Sequence, residues 1–380
     1  MTQRSFLPLS ISQAALIVIA VIFGLRYSLS VTLISLNMAK MGLSESMIGA
    51  NAATNAVGTL AMAFLLPRIT AHLGLRRTML IALAFASALF VLFPVLPWYK
   101  LWFPLRFFLG AASMTLFVLS ESWLNALSSE ATRARIMGTY TAAVSGGLFL
   151  GPLILSFTGT DGYFPYLLGS GLTVLGAVLV ASRRVQAPIV DKPTHSNPVS
   201  YMCLVPLALA ASTLYAAIDI ACLTFLPLYA MKLGWQESQA TMLMPCMMFG
   251  AIALQFPIGW IGDKMNRRRL SIILSGLAGL GVLFWPWTLQ SPTLAYGLLF
   301  FCGGAFVGIY TIMLTIVGSK FKGSELIGIY AAMQFMWGAG ALLGSLLAGA
   351  AMHIALHGLA FFVAAACAVF MGMALHRTMT

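Results

Sequence analysis

Charged residues are scarce in this sequence, and their scarcity excludes a water-soluble globular protein. Only 8% of the 380 residues are Asp, Glu, Lys or Arg, whereas 60% are hydrophobic, and the mean hydropathy is +0.94. Soluble domains carry about 25% charged residues. Most of the chain must therefore lie in a lipid bilayer, where charges are costly.

Acidic residues are scarcer than basic ones, with nine Asp and Glu against 21 Lys and Arg, and the formal net charge is +12. A basic excess also occurs in nucleic-acid-binding proteins, but here its distribution indicates membrane orientation. If the N-terminus is cytoplasmic, 16 of the 21 basic residues fall in cytoplasmic segments. Membrane proteins concentrate Lys and Arg on that side. The sequence therefore predicts a cell inner-membrane protein with both termini in the cytoplasm and no nucleic-acid partner.

The motifs of enzymes, metalloproteins and ATPases are missing as well. The five Cys lie in apolar runs without a CxxC pair, and the five His have no spacing typical of metal ligands. No Gly-x-x-x-x-Gly-Lys-Ser/Thr loop is present to bind ATP phosphates. We expect no catalytic site, no metal and no cofactor, and a proton gradient as the driving force for any transport.

What the sequence does contain is apolar runs long enough to span a bilayer. Six precede and six follow a polar stretch at residues 183–200, which we interpret as a cytoplasmic linker. The predicted fold is an all-α membrane protein of two six-helix bundles, residues 1–182 and 201–380. The predicted spans are 12–37, 47–69, 77–96, 101–127, 136–157, 163–182, 201–230, 239–261, 270–289, 292–318, 325–350 and 354–376.

The two halves repeat each other. Residues 40–46 read KMGLSES and residues 232–238 read KLGWQES, an offset of 192. The same offset places Arg76 on Arg268 and Gly58 on Gly250. A long internal repeat in an apolar chain is typical of transporters built from two parallel halves.

Two loops at equivalent positions carry a family resemblance. Residues 259–270 read GWIGDKMNRRRL, and residues 67–77 read PRITAHLGLRR. The first of these resembles the loop signature of the major facilitator superfamily. The resemblance implies a monomer of twelve helices that works by alternating access. It also implies that Asp263 pairs with Arg267 or Arg268 and holds the cytoplasmic face shut in the outward-open state. The other loop departs from the signature, because Ala71 stands in the Asp position.

The fourth span carries two candidates for proton coupling. Residues 106–112 read RFFLGAA, which resembles a family motif associated with proton transfer and so implies that role for Arg106. Alternatively, Arg106 extends to the outer interface. Glu121 lies about 18 Å from Arg133 along an ideal helix, where an ionised carboxylate is costly. Glu121 could therefore bind and release a proton, or it could cap a neighbouring helix.

The fifth span contains three glycines separated by eight and by three residues. Gly138, Gly147 and Gly151, followed by Pro152, resemble the antiporter signature of drug-export members of the superfamily. This resemblance implies a role in conformational change. The alternative is that small residues here only permit close helix packing.

The first and seventh spans place opposite charges near the midplane. Arg26 lies about 21 Å along its helix from Lys40. Asp219 falls on Tyr27 under the repeat offset, so Arg26 and Asp219 occupy nearly equivalent places. We expect both to face a central cavity, where they could attract each other or where Asp219 alone could bind a cationic substrate. Further predicted cavity residues are polar or aromatic: Tyr27, Asn55, Tyr215, Tyr310, Tyr330, Gln334 and Trp337.

The function that these residues predict is proton-coupled export of a small amphipathic drug or metabolite. The glycine signature, the intramembrane carboxylates, and the aromatic and Met content favour this hypothesis. The alternative is proton-coupled uptake of an organic anion or a peptide-like solute, for which Arg26 and Arg106 are suited. A lipid flippase and a membrane sensor remain further alternatives.

Overall fold

The computed structural model describes residues 10–96, 98–187, 204–321 and 323–379. Within these ranges the chain is helical and contains no strand. Most of the predicted linker, residues 188–200, lies outside the described residues, and so does Cys203. The helices are α1 Ile11–Lys40, α2 Glu45–Leu73, α3 Leu75–Val95, α4 Trp102–Ala126, α5 Glu130–Thr158, α6 Phe164–Ala181, α7 Pro206–Lys232, α8 Glu237–Ala253, α9 Gln255–Lys264, α10 Arg267–Leu283, α11 Trp285–Thr288, α12 Pro292–Lys320, α13 Gly323–Ile354 and α14 Gly358–Met379.

Local sequence signals explain where several of these helices begin. Ser10 and Gln13 form a capping box at the start of α1, each side chain bonding the other residue's backbone N–H. Ser44 caps α2, and Asn266 accepts from two backbone N–H groups at the start of α10. Such caps satisfy donors that have no partner within the helix.

Two predicted spans, 239–261 and 270–289, each contain a break between two helices. The first is divided at Leu254 and the second at Phe284. Pro257 and Pro286 follow these breaks, and a proline ring clashes with the carbonyl four residues earlier. Among the described residues, eleven segments are long and apolar enough to cross a membrane, and the divided ninth span is the one that falls short.

The two halves pack in the same pattern. In the first half α1 contacts α5, α2 contacts α4, and α3 contacts α6; in the second half α7 contacts α13, α8 contacts α12, and α10 contacts α14. Gly58 of α2 lies against the backbone of Phe107, while Gly250 of α8 lies against that of Phe300. A Cβ at either glycine would strike the facing carbonyl. The repeat in the sequence is therefore a repeat in three dimensions, and the predicted pair of pseudo-symmetric six-helix bundles is confirmed.

Contacts between the halves involve α2 with α13, α5 with α8, and α1 with α7. We call one end of the bundle the Lys40 end, which includes residues 41–44, 159–163, 233–236 and 355–357. The opposite end, with residues 74, 127–129, 265–266 and 321, is the Arg76 end. Between the two ends, α1, α2 and α4 face α7 and α13 across a central region.

Candidate functional site

A narrow central pocket lies between the halves and is lined by residues of α1, α2, α4, α7 and α13. Four of its residues were predicted, Tyr27, Asn55 and Trp337 as cavity residues and Arg106 as a proton-coupling residue. Its other residues are small or apolar apart from one hydroxyl, so their types carried no signal that could have identified them. They are Val31, Ala52, Ala56, Thr59, Ile220, Gly338 and Ala341.

Two arginines are buried beside this pocket. Arg26 of α1 is 0% exposed, and its Nη2 donates to Ser113 Oγ over 2.7 Å. Arg106 of α4 is 1% exposed, and its Nη1 donates to the carbonyl of Ser30 over 3.3 Å. The interpretation that Arg106 extends to the outer interface is therefore wrong, because the side chain turns inward against α1.

Both guanidinium groups retain unused donors. Arg26 Nε, Arg26 Nη1 and Arg106 Nε are buried without a hydrogen-bond partner. The ion pairs of the described chain include neither arginine, so no described carboxylate lies within 4.0 Å of either group. The two arginines also interact electrostatically with each other, as like charges. In the described part of the chain, this is a buried cationic site without a counter-ion.

Asp219 approaches the same region from α7, next to the pocket residue Ile220. It interacts electrostatically with Tyr27 and Tyr215. The structure does not bring Asp219 and Arg26 together as an ion pair within 4.0 Å. The predicted attraction across the cavity is thus not formed in this conformation.

A chain of tyrosines leads from Asp219 towards the second carboxylate, Glu121. The rings of Tyr215 and Tyr310 stack with centroids 5.3 Å apart and an interplanar angle of 23°. Tyr310 interacts electrostatically with Glu121 and with Tyr330. Glu121 is partly buried on α4, and it caps no neighbouring helix among the described residues. The ring stack is thus the direct contact in this group, and the two carboxylates lie within electrostatic range of its two ends.

Gln334 differs from the other predicted cavity residues. It is exposed on α13 and does not line the central pocket, whereas Trp337, one turn away, does. The Met content that favoured the export hypothesis does not line this pocket either. Met244, Met247 and Met248 are buried in the packing of the second half, 0%, 5% and 8% exposed.

The α5 glycines lie at a helix contact. Gly147 meets the backbone of Val21 on α1, and Gly151 meets Ser28 and Leu29 of the same helix. Gly138 has open space around its Cα. The second half contains the same contact, in which Gly340 and Gly344 of α13 meet Thr213 and Ala217 of α7. Because this arrangement recurs in both halves, close packing accounts for Gly147 and Gly151.

The loop residues near the Arg76 end bond within their own halves. Asp263 and Arg267 form an ion pair at 3.4 Å, with 75% of the Asp263 side chain exposed. Arg268 donates instead to the carbonyl of Ala374 in α14, at 3.1 Å. Its counterpart Arg76 donates to carbonyls at the end of α6, Val180 at 2.8 Å and Ser182. Among the described residues, no hydrogen bond or ion pair links Asp263 to the other half in this conformation.

The Lys40 end, by contrast, joins the two halves by ion pairs from the repeated motif. Lys40 binds Glu237 at 2.7 Å, and Lys232 binds Glu45. Each copy of the motif thus supplies one cation and one anion to the other copy. Asp161 adds a second carboxylate to Lys40 at 2.8 Å, and His353 approaches Glu45 at 3.6 Å. The sequence repeat contained this signal, but it could not show that the copies face each other.

Comparison with known proteins gives a consistent result. The family model of the Major Facilitator Superfamily matches residues 15–345. The uncharacterized MFS-type transporter YfkF of Bacillus subtilis is 23% identical over 217 residues, and the match spans 56% of this chain and about half, 55%, of the relative. The uncharacterized MFS-type transporter YcaD of Salmonella enteritidis is 24% identical over 328 residues, which cover 82% of this chain and 81% of the relative. The crystal structure of nucleoside transporter NupG superposes with a TM-score of 0.78 at 12% identity, over 96% of this chain and 98% of that one.

Proposed function

The chain belongs to the major facilitator superfamily, and from that premise we propose that it is a proton-coupled secondary transporter of a small organic solute. It works by alternating access as a monomer. The observation that carries this proposal is Asp219, whose chain neighbour Ile220 lines the pocket and which has no counter-ion within 4.0 Å among the described residues. An unpaired carboxylate at this depth exchanges protons more readily than one held in an ion pair.

Asp219 and Glu121 are the two proton sites of the proposed cycle. The stacked pair of Tyr215 and Tyr310 lies between them, since Tyr215 interacts with Asp219 and Tyr310 with Glu121. A tyrosine hydroxyl both donates and accepts hydrogen bonds, so with water it can relay a proton. Loading and release of the proton would then occur at different ends of one polar path.

Symport, in which solute and proton move together, is the first candidate for the coupling mode. What supports it is that Asp219 forms an ion pair with neither of the two buried arginines. A proton on Asp219 and a solute in the pocket can therefore be bound at the same time. Antiport requires instead that the two exclude each other.

The orientation follows from the basic residues. Because Lys and Arg concentrate in the loops of the Arg76 end, this end lies in the cytoplasm of a cell with an inner membrane. The described hydrogen bonds and ion pairs between the halves lie at the Lys40 end or beneath it, where Thr32 donates to the carbonyl of Leu223. With this orientation, the contacts between the halves close the outer side.

The test is solute-evoked pH change inside proteoliposomes that contain a trapped pH indicator. Addition of a solute outside should acidify the lumen for a symporter, whatever the orientation of the inserted protein. We expect Asp219→Asn and Glu121→Gln to abolish the pH change. Asp191→Asn, in the polar stretch between the halves, serves as the matched control and should retain it. Solute movement without any pH change would contradict proton coupling.

Export by antiport is the second candidate, and the glycine spacing on α5 favours it. The spacing resembles the signature of drug exporters, although helix packing also accounts for Gly147 and Gly151. The same experiment separates the two modes, because an antiporter would make the lumen alkaline on solute addition. Resistance of cells to a toxic solute would then accompany the vesicle result.

A further inference from the structure

We propose that the central region binds the anionic group of the transported solute, a carboxylate or a comparable oxyanion, through Arg106, which lines the pocket, and Arg26, which is buried behind the lining. This inference rests on the proposed transport function, and it specifies the class of solute. The argument begins with the burial of two cations, 0% and 1% exposed, on neighbouring helices. A buried charge is costly unless it is paired, and neither guanidinium has a carboxylate within 4.0 Å in the described chain.

The hydrogen bonds of the two arginines hold them in position without exhausting their donors. Arg26 is anchored by Ser113 and Arg106 by the carbonyl of Ser30. The anchors leave Arg26 Nε, Arg26 Nη1 and Arg106 Nε unused and buried. On Arg26 the free donors lie on different edges of the guanidinium plane, because Nη1 is cis to Cδ whereas the Nε–H points to the Nη2 side. Each can therefore donate one charge-assisted hydrogen bond to an oxyanion. A bound oxyanion would satisfy these donors and reduce the repulsion between the two cations.

The remaining pocket residues indicate the kind of molecule that carries the anion. Asn55 and Thr59 add amide and hydroxyl groups, whereas Trp337, Val31 and Ile220 add apolar surface. Polar groups thus come from α4, α2 and, through the Tyr27 hydroxyl, α1, whereas α7 and the Trp337 ring of α13 supply apolar surface. The types of these residues suit a short organic anion whose carboxylate contacts the arginines and whose apolar part lies against Trp337. Because the pocket is narrow in this conformation, the halves must separate for such a solute to enter.

The charge of an anion bound at the arginines and the charge of a proton bound at Asp219 cancel. An anion on the arginines and a proton on Asp219 together add no net charge to the buried region. Moving a neutral load through the bilayer centre avoids the cost of carrying an uncompensated charge. The two binding events need not share a group, since Asp219 pairs with neither arginine.

The first measurement is thermal unfolding of the purified full-length protein with matched ligands. The probes are succinate and succinamide, benzoate and benzamide, and glutamate and glutamine, so that each pair differs mainly in the presence of a carboxylate. We expect at least one carboxylate to raise the unfolding midpoint while its amide partner does not. Arg26→Gln and Arg106→Gln should reduce that shift at least fivefold, and Arg77→Gln, which changes an exposed arginine, should leave it intact.

The second measurement concerns the same variants without ligand and separates a binding role from a structural one. Removal of one of two unpaired buried cations should leave the unfolding midpoint unchanged or raise it. If both Gln variants are instead strongly destabilised and Arg26→Lys restores stability without restoring anion binding, the arginines are structural and the proposal fails. The proposal also fails if every carboxylate stabilises no more than its amide, or if the Gln variants respond as the wild type does. None of these measurements needs a pH gradient, so carboxylate binding without proton movement would contradict only the proposed coupling.

Discussion

At the scale of single residues, position rather than residue type decides what an arginine does in this protein. Arg26 and Arg106 are buried in the centre and retain donors without a partner, whereas Arg76 donates hydrogen bonds to carbonyl groups at the end of α6. Arg77, the next residue, is exposed. The last carbonyls of a helix lack intrahelical partners, so a cation there satisfies them and interacts favourably with the helix dipole.

This contrast predicts different effects of substitution at two adjacent arginines. Arg76→Gln removes the hydrogen bonds to Val180 and Ser182 and should lower the free energy of unfolding by about 1–3 kcal/mol. Arg77→Gln is the matched control and should change it by less than about 0.5 kcal/mol. Unfolding midpoints in detergent provide the comparison, and equal midpoints for the two variants would contradict the capping role of Arg76.

At the scale of helices, two glycines of α5 have different surroundings, because one lies at a helix contact and the other does not. Gly147 lies against α1, where a Cβ would strike the carbonyl of Val21, while Gly138 has open space around it. Both belong to the spacing that resembles the antiporter signature. The equivalent contact of Gly340 with Thr213 in the second half shows that the close approach belongs to the repeated architecture.

Alanine substitution at these two positions should therefore give opposite results. Gly147→Ala overpacks the contact between α1 and α5 and should destabilise the protein by about 1–3 kcal/mol. Gly138→Ala meets no atom and should be neutral or stabilising by up to about 1 kcal/mol, because alanine favours a helix more than glycine does. Thermal unfolding of both variants, beside a transport assay, checks this. Destabilisation by Gly138→Ala would show that its surroundings are more crowded than the structure indicates.

At the scale of the whole molecule, the two halves exchange charges at the Lys40 end. Lys40 pairs with Glu237 and Lys232 with Glu45, and these carboxylate side chains are only 24% and 18% exposed. Partial burial makes such pairs stronger than fully exposed ones. Because opening this end must separate the halves, we expect the pairs to stabilise the state that is closed on that side.

Two double variants of identical composition test this expectation. Lys40→Glu with Glu237→Lys reverses one pair and preserves its attraction, whereas Lys40→Glu with Glu45→Lys places like charges in both pairs. Ser345→Cys reports opening, because Ser345 is buried beside Gly49 beneath the ion pairs. Labelling by a membrane-impermeant maleimide, corrected for the native cysteines, should rise at least fivefold only in the second variant. Equal labelling of both variants would show that attraction within the ion pairs does not keep this end closed.

Much of the architecture was predictable from composition and repetition. The scarcity of charge, the twelve apolar runs and the offset of 192 predicted a membrane transporter with two related bundles. The interruptions at Leu254 and Phe284 were not predicted, although Pro257 and Pro286 were visible. Proline is tolerated inside other helices of this protein, such as Pro152 in α5, so its presence alone does not locate a break.

The sequence by itself determined which charged residues enter the membrane, because only a few acidic and basic residues interrupt the apolar runs. It also determined the repeat, since equivalent letters recur at a constant spacing. Only the tertiary structure decided the partners of these residues. Arg106 turns towards α1, Arg26 binds Ser113 rather than Asp219, and the repeated motif pairs with its own copy. The hydrogen-bond and ion-pair partners depend on how helices that are far apart in the sequence pack together. The helical period of the sequence indicates which face of a helix is apolar, but not which other helix that face contacts.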